Sequence, residues 1–198
     1  MDSINNSIAE IARSLVGIVE VEGKNKNFTS KNKNREITPE QFKEWLLVVG
    51  WSEGQPYCSY SAEIVYKCAY SRWNTGYVKV IDRLFSANAM QTYTNAITSY
   101  YELIIDLLTG GIPQLGALCF FAKYKNGVVV KNGQWTSGHI GIVVNNSDLS
   151  HFDIFEGNTF SQTNSREGNG NFIKTHSYNE YHKNNGLRLI GFMNPISV

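Results

Sequence analysis

The second half of the chain narrows the choice of fold most. Between Gly116 and Tyr178, and again near the end, come short runs rich in β-branched and aromatic residues: GALCFFAKY, GHIGIVVNN, HFDIFEGN, NFIKTHSY and LRLIGFM. Gly/Asn turns part them, among them Lys125-Asn126-Gly127 and Lys131-Asn132-Gly133. Such runs read as antiparallel strands joined by tight turns. The first half follows a helical period instead. Ile4, Ile8, Ile11, Ala12 and Leu15 fall on one face of a helix over residues 3 to 16, with Ser3 as its cap. Thr38-Pro39-Glu40-Gln41 is a capping box with proline at the first helical position, Phe42, Trp45, Leu46 and Val49 point inward, and Gly50 closes the helix. A third helix is expected from Cys58 to about Tyr70. A further helical stretch, in one or two pieces, is expected over 86–109, with Tyr100, Leu103, Ile104, Leu107 and Leu108 inward. Residues 23–36, GKNKNFTSKNKNRE, read as a solvated loop or at most a short turn, with contact to an acidic or glycan ligand as the alternative. Helices followed by antiparallel strands make the class α+β. No repeat or linker divides the 198 residues, so 1–198 is expected to be a single domain.

Composition removes several function classes. The formal net charge of +1 supplies no field to attract nucleic acid. The apolar runs fall well short of the ~20 residues of a membrane span, so membrane insertion is not expected. The N-terminus carries Asp2 and Glu10 and lacks a basic stretch followed by an apolar one, so it does not read as a signal peptide. Three cysteines, an odd number without a CxxC pair, argue against a disulfide framework, and no Cys/His cluster has zinc spacing.

The cysteines differ in placement. Cys68 lies inside the third helix and Cys119 in an apolar strand, and both read as small buried hydrophobes. Cys58 follows Gly54-Gln55-Pro56-Tyr57 and starts the helix. There the unpaired N–H groups and the helix dipole favour a thiolate. On local context alone Cys58 is either a buried hydrophobe or a nucleophile. A nucleophilic thiol needs a base, and the base needs an orienting group. His139 starts a strand after a glycine turn, His151 opens the next strand, and His176 and His182 sit in a polar stretch that reads as surface. Glu156 and Asn158 lie two positions apart, on one face of the strand expected to pair with that of His139. Their alternative is a solvated strand end that turns at Gly157-Asn158.

The order of helix-start cysteine, strand-start histidine and Glu-x-Asn resembles the CHAP-type cysteine peptidases and amidases of the papain-like NlpC/P60 group. Gly54-Gln55-Pro56-Tyr57-Cys58 is similar to the family's Gly-x-Pro-Trp-Cys. Gly138-His139-Ile140-Gly141-Ile142-Val143 is similar to its Gly-His-Val-Gly-Ile-Val, and Glu156-Gly157-Asn158-Thr159 repeats its Glu-Gly-Asn-Thr. GNGNFIKTHSY and IGFMNP extend the likeness, which runs from about residue 8 to residue 195. The family's Pro-Gly-Asp is Leu115-Gly116-Ala117 here, and Tyr57 stands for its tryptophan.

The resemblance implies N-terminal helices packed on a C-terminal antiparallel sheet, and a peptidoglycan hydrolase that cuts a glycan–peptide amide or a bond of the stem or cross-bridge. It assigns Cys58 as nucleophile, His139 as base, and Glu156 or Asn158 as orienter, with Glu156 favoured for its charge. The backbone N–H of Cys58 becomes an oxyanion donor, with Gln55 a second by proximity. Tyr57 and Trp135 are expected to line the cleft, although packing accounts for Trp135 equally well. Clustered carboxylates for a calcium loop are missing before the cysteine, so no metal or other cofactor is expected. Without a signal peptide, a protein made in the cytoplasm and acting at the cell wall or periplasm needs holin release, a virion or contractile tail, or a secretion apparatus. A phage or phage-like source is the favoured origin. Two other readings remain open: a catalytically silent virion or secretion component, and a cysteine protease acting on protein.

Overall fold

The computed structural model describes residues 3–73, 75–105, 107, 111–146, 150–159 and 169–198. Helix α1 (Ile4–Ser14) is capped by Ser3, whose hydroxyl accepts from the Asn6 N–H at 3.3 Å. All five of its expected inward residues are buried. Helix α2 (Pro39–Val48) opens on the full capping box: the Gln41 N–H donates to Thr38 Oγ1 (3.2 Å), and the Thr38 N–H donates to Gln41 Oε1 (2.9 Å). Helix α3 (Cys58–Trp73) is buried at every position from Cys58 to Tyr66. Helices α4 (Val78–Leu84) and α5 (Ala89–Ser99) follow.

Two stretches differ from the sequence reading. Residues 23–36 are not all loop: β1 (Ile18–Glu20) pairs with β2 (Phe28–Ser30). Phe28 provides the reason. It is buried against Phe42 and Tyr57, with ring centroids 5.2 Å away in both cases, which draws the strand into place. Arg35, one of the basic residues, is a structural clamp that donates to Ser14 O, Val16 O and Ile37 O. The helix over 86–109 stops at Ser99, and Ile104–Ile105 form strand β3 on the sheet edge. Their β-branched side chains suit a pleated surface better than a helix end. Tyr100, Leu103 and Ile104 still pack against the core. Leu107 joins the cluster on the opposite face, and Leu108 lies outside the described residues.

The other strands are β4 (Leu118–Lys125), β5 (Val128–Val129), β6 (Lys131–Asn132), β7 (Trp135–Thr136), β8 (Gly138–Asn145), β9 (His151–Thr159), β10 (Gly170–Ser177) and β11 (Gly186–Met193). The class is α+β. The main antiparallel sheet runs β2-β1-β10-β9-β8-β4-β11-β3, and β5 pairs with β4. Period-two alternation gives the sheet two apolar faces. Phe120, Ile140, Ile142 and Phe155 face the cluster shared with the helices. Phe121, Val143, Phe152, Ile154 and Phe192 form a second cluster, with Tyr178 and Tyr181 packed against it. Among the described residues no helix is long and apolar enough to cross a membrane.

Helix α3 approaches the sheet closely at Gly157. A Cβ built there comes within 2.6 Å of Ser61 Cβ on α3. Gly157→Ala is therefore expected to push α3 off β9, since overpacking costs about 1–3 kcal/mol. Urea unfolding of the variant against wild type measures the loss.

Candidate active site

Cys58 is the first residue of α3, and the helix is anchored there by the Ser61 N–H donating to Tyr57 O at 2.8 Å. The first N–H groups of a helix have no intrahelical partner four residues back, and with the helix dipole they favour an anion at that end. The preceding turn is held from both sides. Trp51 Nε1 donates to Gln55 O (2.8 Å), and the Gly54 N–H donates to Asn25 O (2.7 Å). Because Ser61 sits on Gly157, the N-terminus of α3 overhangs the end of β9, where β8 begins. There the Cys58 thiol is near enough to the His139 ring to act on its charge.

His139 is only 1 % exposed. Glycines on either side of it set its frame. A Cβ at Gly138 meets Met90 Sδ and Phe121 O at 2.6 Å, so only glycine fits under α5. A Cβ at Gly141 lies 2.8 Å from Phe155 O and 2.9 Å from Ile154 Cδ1. The bare Gly141 lets Glu156 lie across β8, with its Cγ 3.4 Å from that Cβ position. Glu156 Oε2 then stands 3.1 Å from His139 Nε2, at ion-pair distance but off the line of a straight hydrogen bond.

These contacts shape the electrostatics. Burial lowers the pKa of His139, but the Glu156 carboxylate and the Cys58 thiol beside it outweigh that and push the ring up to about 10. Burial raises the pKa of Glu156, but the charges and hydrogen bonds of His139 and His176 hold its carboxyl well below the usual range. A thiol, an imidazole and a carboxylate thus stand in sequence, all three buried. The arrangement supports a base that takes a proton from the thiol and a carboxylate that holds the resulting cation.

The other expected site residues divide. Asn158 is fully buried, but its φ of 55° breaks the strand alternation that was to align it with Glu156. Its Oδ1 lies 3.2 Å from the Asn25 amide, which also reaches Glu20. Tyr57 does not line a cleft. It is fully buried among Phe28, Phe42 and Trp51, with its hydroxyl near Glu20, because an aromatic ring at this helix start is worth more in the core than in water. Gln55 is exposed in the turn before Cys58. Trp135 starts β7, and its side chain lies outside the described residues.

Cys119 is buried, and burial pushes its thiol well up. Cys68 is half-buried. His182 is exposed as expected, whereas His176, read as a surface residue, is 4 % exposed and bonded to Glu156. The sequence signal for it was present: Lys174 and His176 alternate along a strand beside β9, and Glu180 follows four residues later. Among the described residues no group of three or more His, Cys, Asp or Glu side chains is placed to hold a metal ion. A comparison with family models and with curated proteins finds no match.

The raised pKa of His139 has a consequence for stability. A histidine raised from 6.5 to about 10 contributes stability that is fully present below about pH 6.5 and is lost as pH rises toward 10. Urea unfolding across that window is expected to show falling stability in wild type. The slope flattens in Glu156→Gln, where the anion that holds the imidazolium is gone.

Proposed function

We propose that the protein is a cysteine hydrolase of peptidoglycan with the CHAP-type papain-like fold. The observation that carries the hydrolase reading is the buried row of Cys58 at the start of α3, His139 beside it at the start of β8, and Glu156 3.1 Å behind His139. The substrate class rests on the likeness of the Gly-x-Pro-Tyr-Cys, Gly-His-Ile-Gly and Glu-Gly-Asn-Thr stretches to that family. In the reaction His139 takes the Cys58 proton, and the thiolate attacks the amide carbonyl. The Cys58 backbone N–H stabilises the oxyanion. His139 then gives its proton to the leaving amine as the C–N bond breaks, leaving an acyl-thioester. Water, deprotonated by His139, attacks that thioester, and the thiol is restored as the acid leaves. Glu156 holds the imidazolium throughout. Action at a cell wall then calls for delivery by holin release, a virion or tail, or a secretion apparatus, in keeping with a phage or phage-like source.

The test is a digest of purified peptidoglycans of several chemotypes, with released fragments read by mass spectrometry. Wild type is expected to release amide-cleaved fragments and Cys58→Ala none, and the fragment masses name the bond. No fragments from any wall, or digestion of casein instead, overturns the substrate assignment. Glu156→Gln is expected to lower kcat by about 10²-fold or more, in the range of general acid–base contributions. Asn158→Ala should cost less, since its contacts run to Asn25 and not to the imidazole. The two rates measured side by side decide between them as orienter.

A further inference from the structure

Glu156 has a second histidine on its far side. Both ring nitrogens of His176 face carboxylate oxygens: Nε2 lies 2.8 Å from Glu156 Oε1, and Nδ1 lies 3.0 Å from Glu180 Oε2. An ionised carboxylate only accepts hydrogen bonds, and a neutral imidazole donates from one nitrogen only. Both contacts are hydrogen bonds only when His176 is protonated on both nitrogens. The ring plane is fixed by Phe152, stacked at 6.0 Å and 26°, and by Phe121 at 4.9 Å. The terminal torsion of a glutamate is broad and poorly defined by itself. An anchor on Oε1 therefore decides where Oε2 points, and here Oε2 points at His139.

We propose that His176 is a positioning residue: as a cation bridging Glu156 and Glu180, it locks the Glu156 carboxylate in the orientation that holds His139 beside Cys58. The proposal rests on the reading of Cys58 as the nucleophile. Lys174 cannot substitute, because its Nζ is 3.6 Å from Glu156 Oε2, on the oxygen already turned to His139. The charged and titratable groups around His176 fit the assignment. Glu156 faces it from β9, Glu180 and Lys183 from the turn after β10, and Lys174 lies on β10 itself. Lys183 Nζ is 3.1 Å from Glu180 Oε2. From β4, Cys119 contributes a thiol that burial and the two carboxylates keep neutral. Burial lowers the pKa of His176, but hydrogen bonds to Glu156 and Glu180 outweigh it and raise the ring overall. A cavity of about 140 Å³, lined in part by Glu156, Lys174, His176, Glu180 and Lys183, gives this outer end of the network its own access to solvent.

The experiment follows alkylation of Cys58 by iodoacetamide, read by peptide mass spectrometry from about pH 4 to about pH 9, which needs no substrate. Wild type is read first. If Cys58 titrates like an ordinary thiol near ~8.5, the nucleophile reading itself fails, before His176 is considered. With a low wild-type midpoint, two variants separate positioning from packing. His176→Phe keeps a ring against Phe121 and Phe152 but removes both donors, and it is expected to raise the midpoint by about one unit, a tenfold loss of thiolate below it. His176→Gln removes the ring and its charge but keeps an amide donor for Glu156, and its midpoint is expected to fall between those of wild type and the Phe variant. A folded Phe variant with the wild-type midpoint, or a Gln variant shifted as far as the Phe variant, overturns the proposal. Nitrogen NMR of the wild-type histidines is independent of how the variants fold. Both His176 nitrogens are expected to be protonated near neutral pH, and a neutral ring there overturns the proposal as well.

Discussion

The seating of α3 on β9 is the contact on which the rest of the structure depends. The helix is buried along its first nine residues, and it reaches the sheet only because Gly157 leaves room for Ser61. One turn before Ser61 the helix begins, so the same approach that closes the core delivers Cys58 to the start of β8. The aromatic cluster of Phe28, Phe42, Trp51 and Tyr57 secures the segment just ahead of that start. Packing and chemistry are thus one constraint here: the contact that seats the helix on the sheet also sets the place of the thiol.

The polar half of the site is built on the opposite logic. A lone carboxylate that is 2 % exposed is costly, because its hydration is lost. Glu156 recovers that loss from two imidazoles, one on each oxygen, with Lys174 nearby. The register β10-β9-β8 makes this possible, since residues on three neighbouring strands share one face. Glycine at 141 completes it by leaving space over the middle strand for the glutamate to cross. The outcome is a row from the helix N-terminus through the sheet end to the turn that carries Glu180.

Much of this was legible in the residues, where the cause is local. The capping box at Thr38 depends on four consecutive residues, and the strand runs of the second half depend on alternation, so both read correctly. Cys58 as a helix start, His139 as a strand-start residue and Glu156 on the neighbouring strand were also visible. The misreadings share a different cause. Phe28 lies in a run of lysines and asparagines that looks solvated, and only the aromatic cluster contributed by α2 and the turn before α3 turns it into a strand. Tyr57 looked like a cleft residue because it adjoins the cysteine, yet helix geometry turns its ring into that same cluster. His176 looked exposed because its sequence neighbours are polar, but its spatial neighbours are Phe121, Phe152 and two carboxylates.

By itself the sequence determined the α+β class, the type of the elements with strong local signals and the set of chemically capable side chains, because periodicity, caps and turn residues act within a few positions. Tertiary structure alone decided which of those side chains meet. It set Glu156 and not Asn158 against His139, because the left-handed backbone at Asn158 ends the alternation the two would have shared. It also brought His176 into the network, because strand register places β10 beside β9 and puts residues 20 apart in sequence within one hydrogen bond.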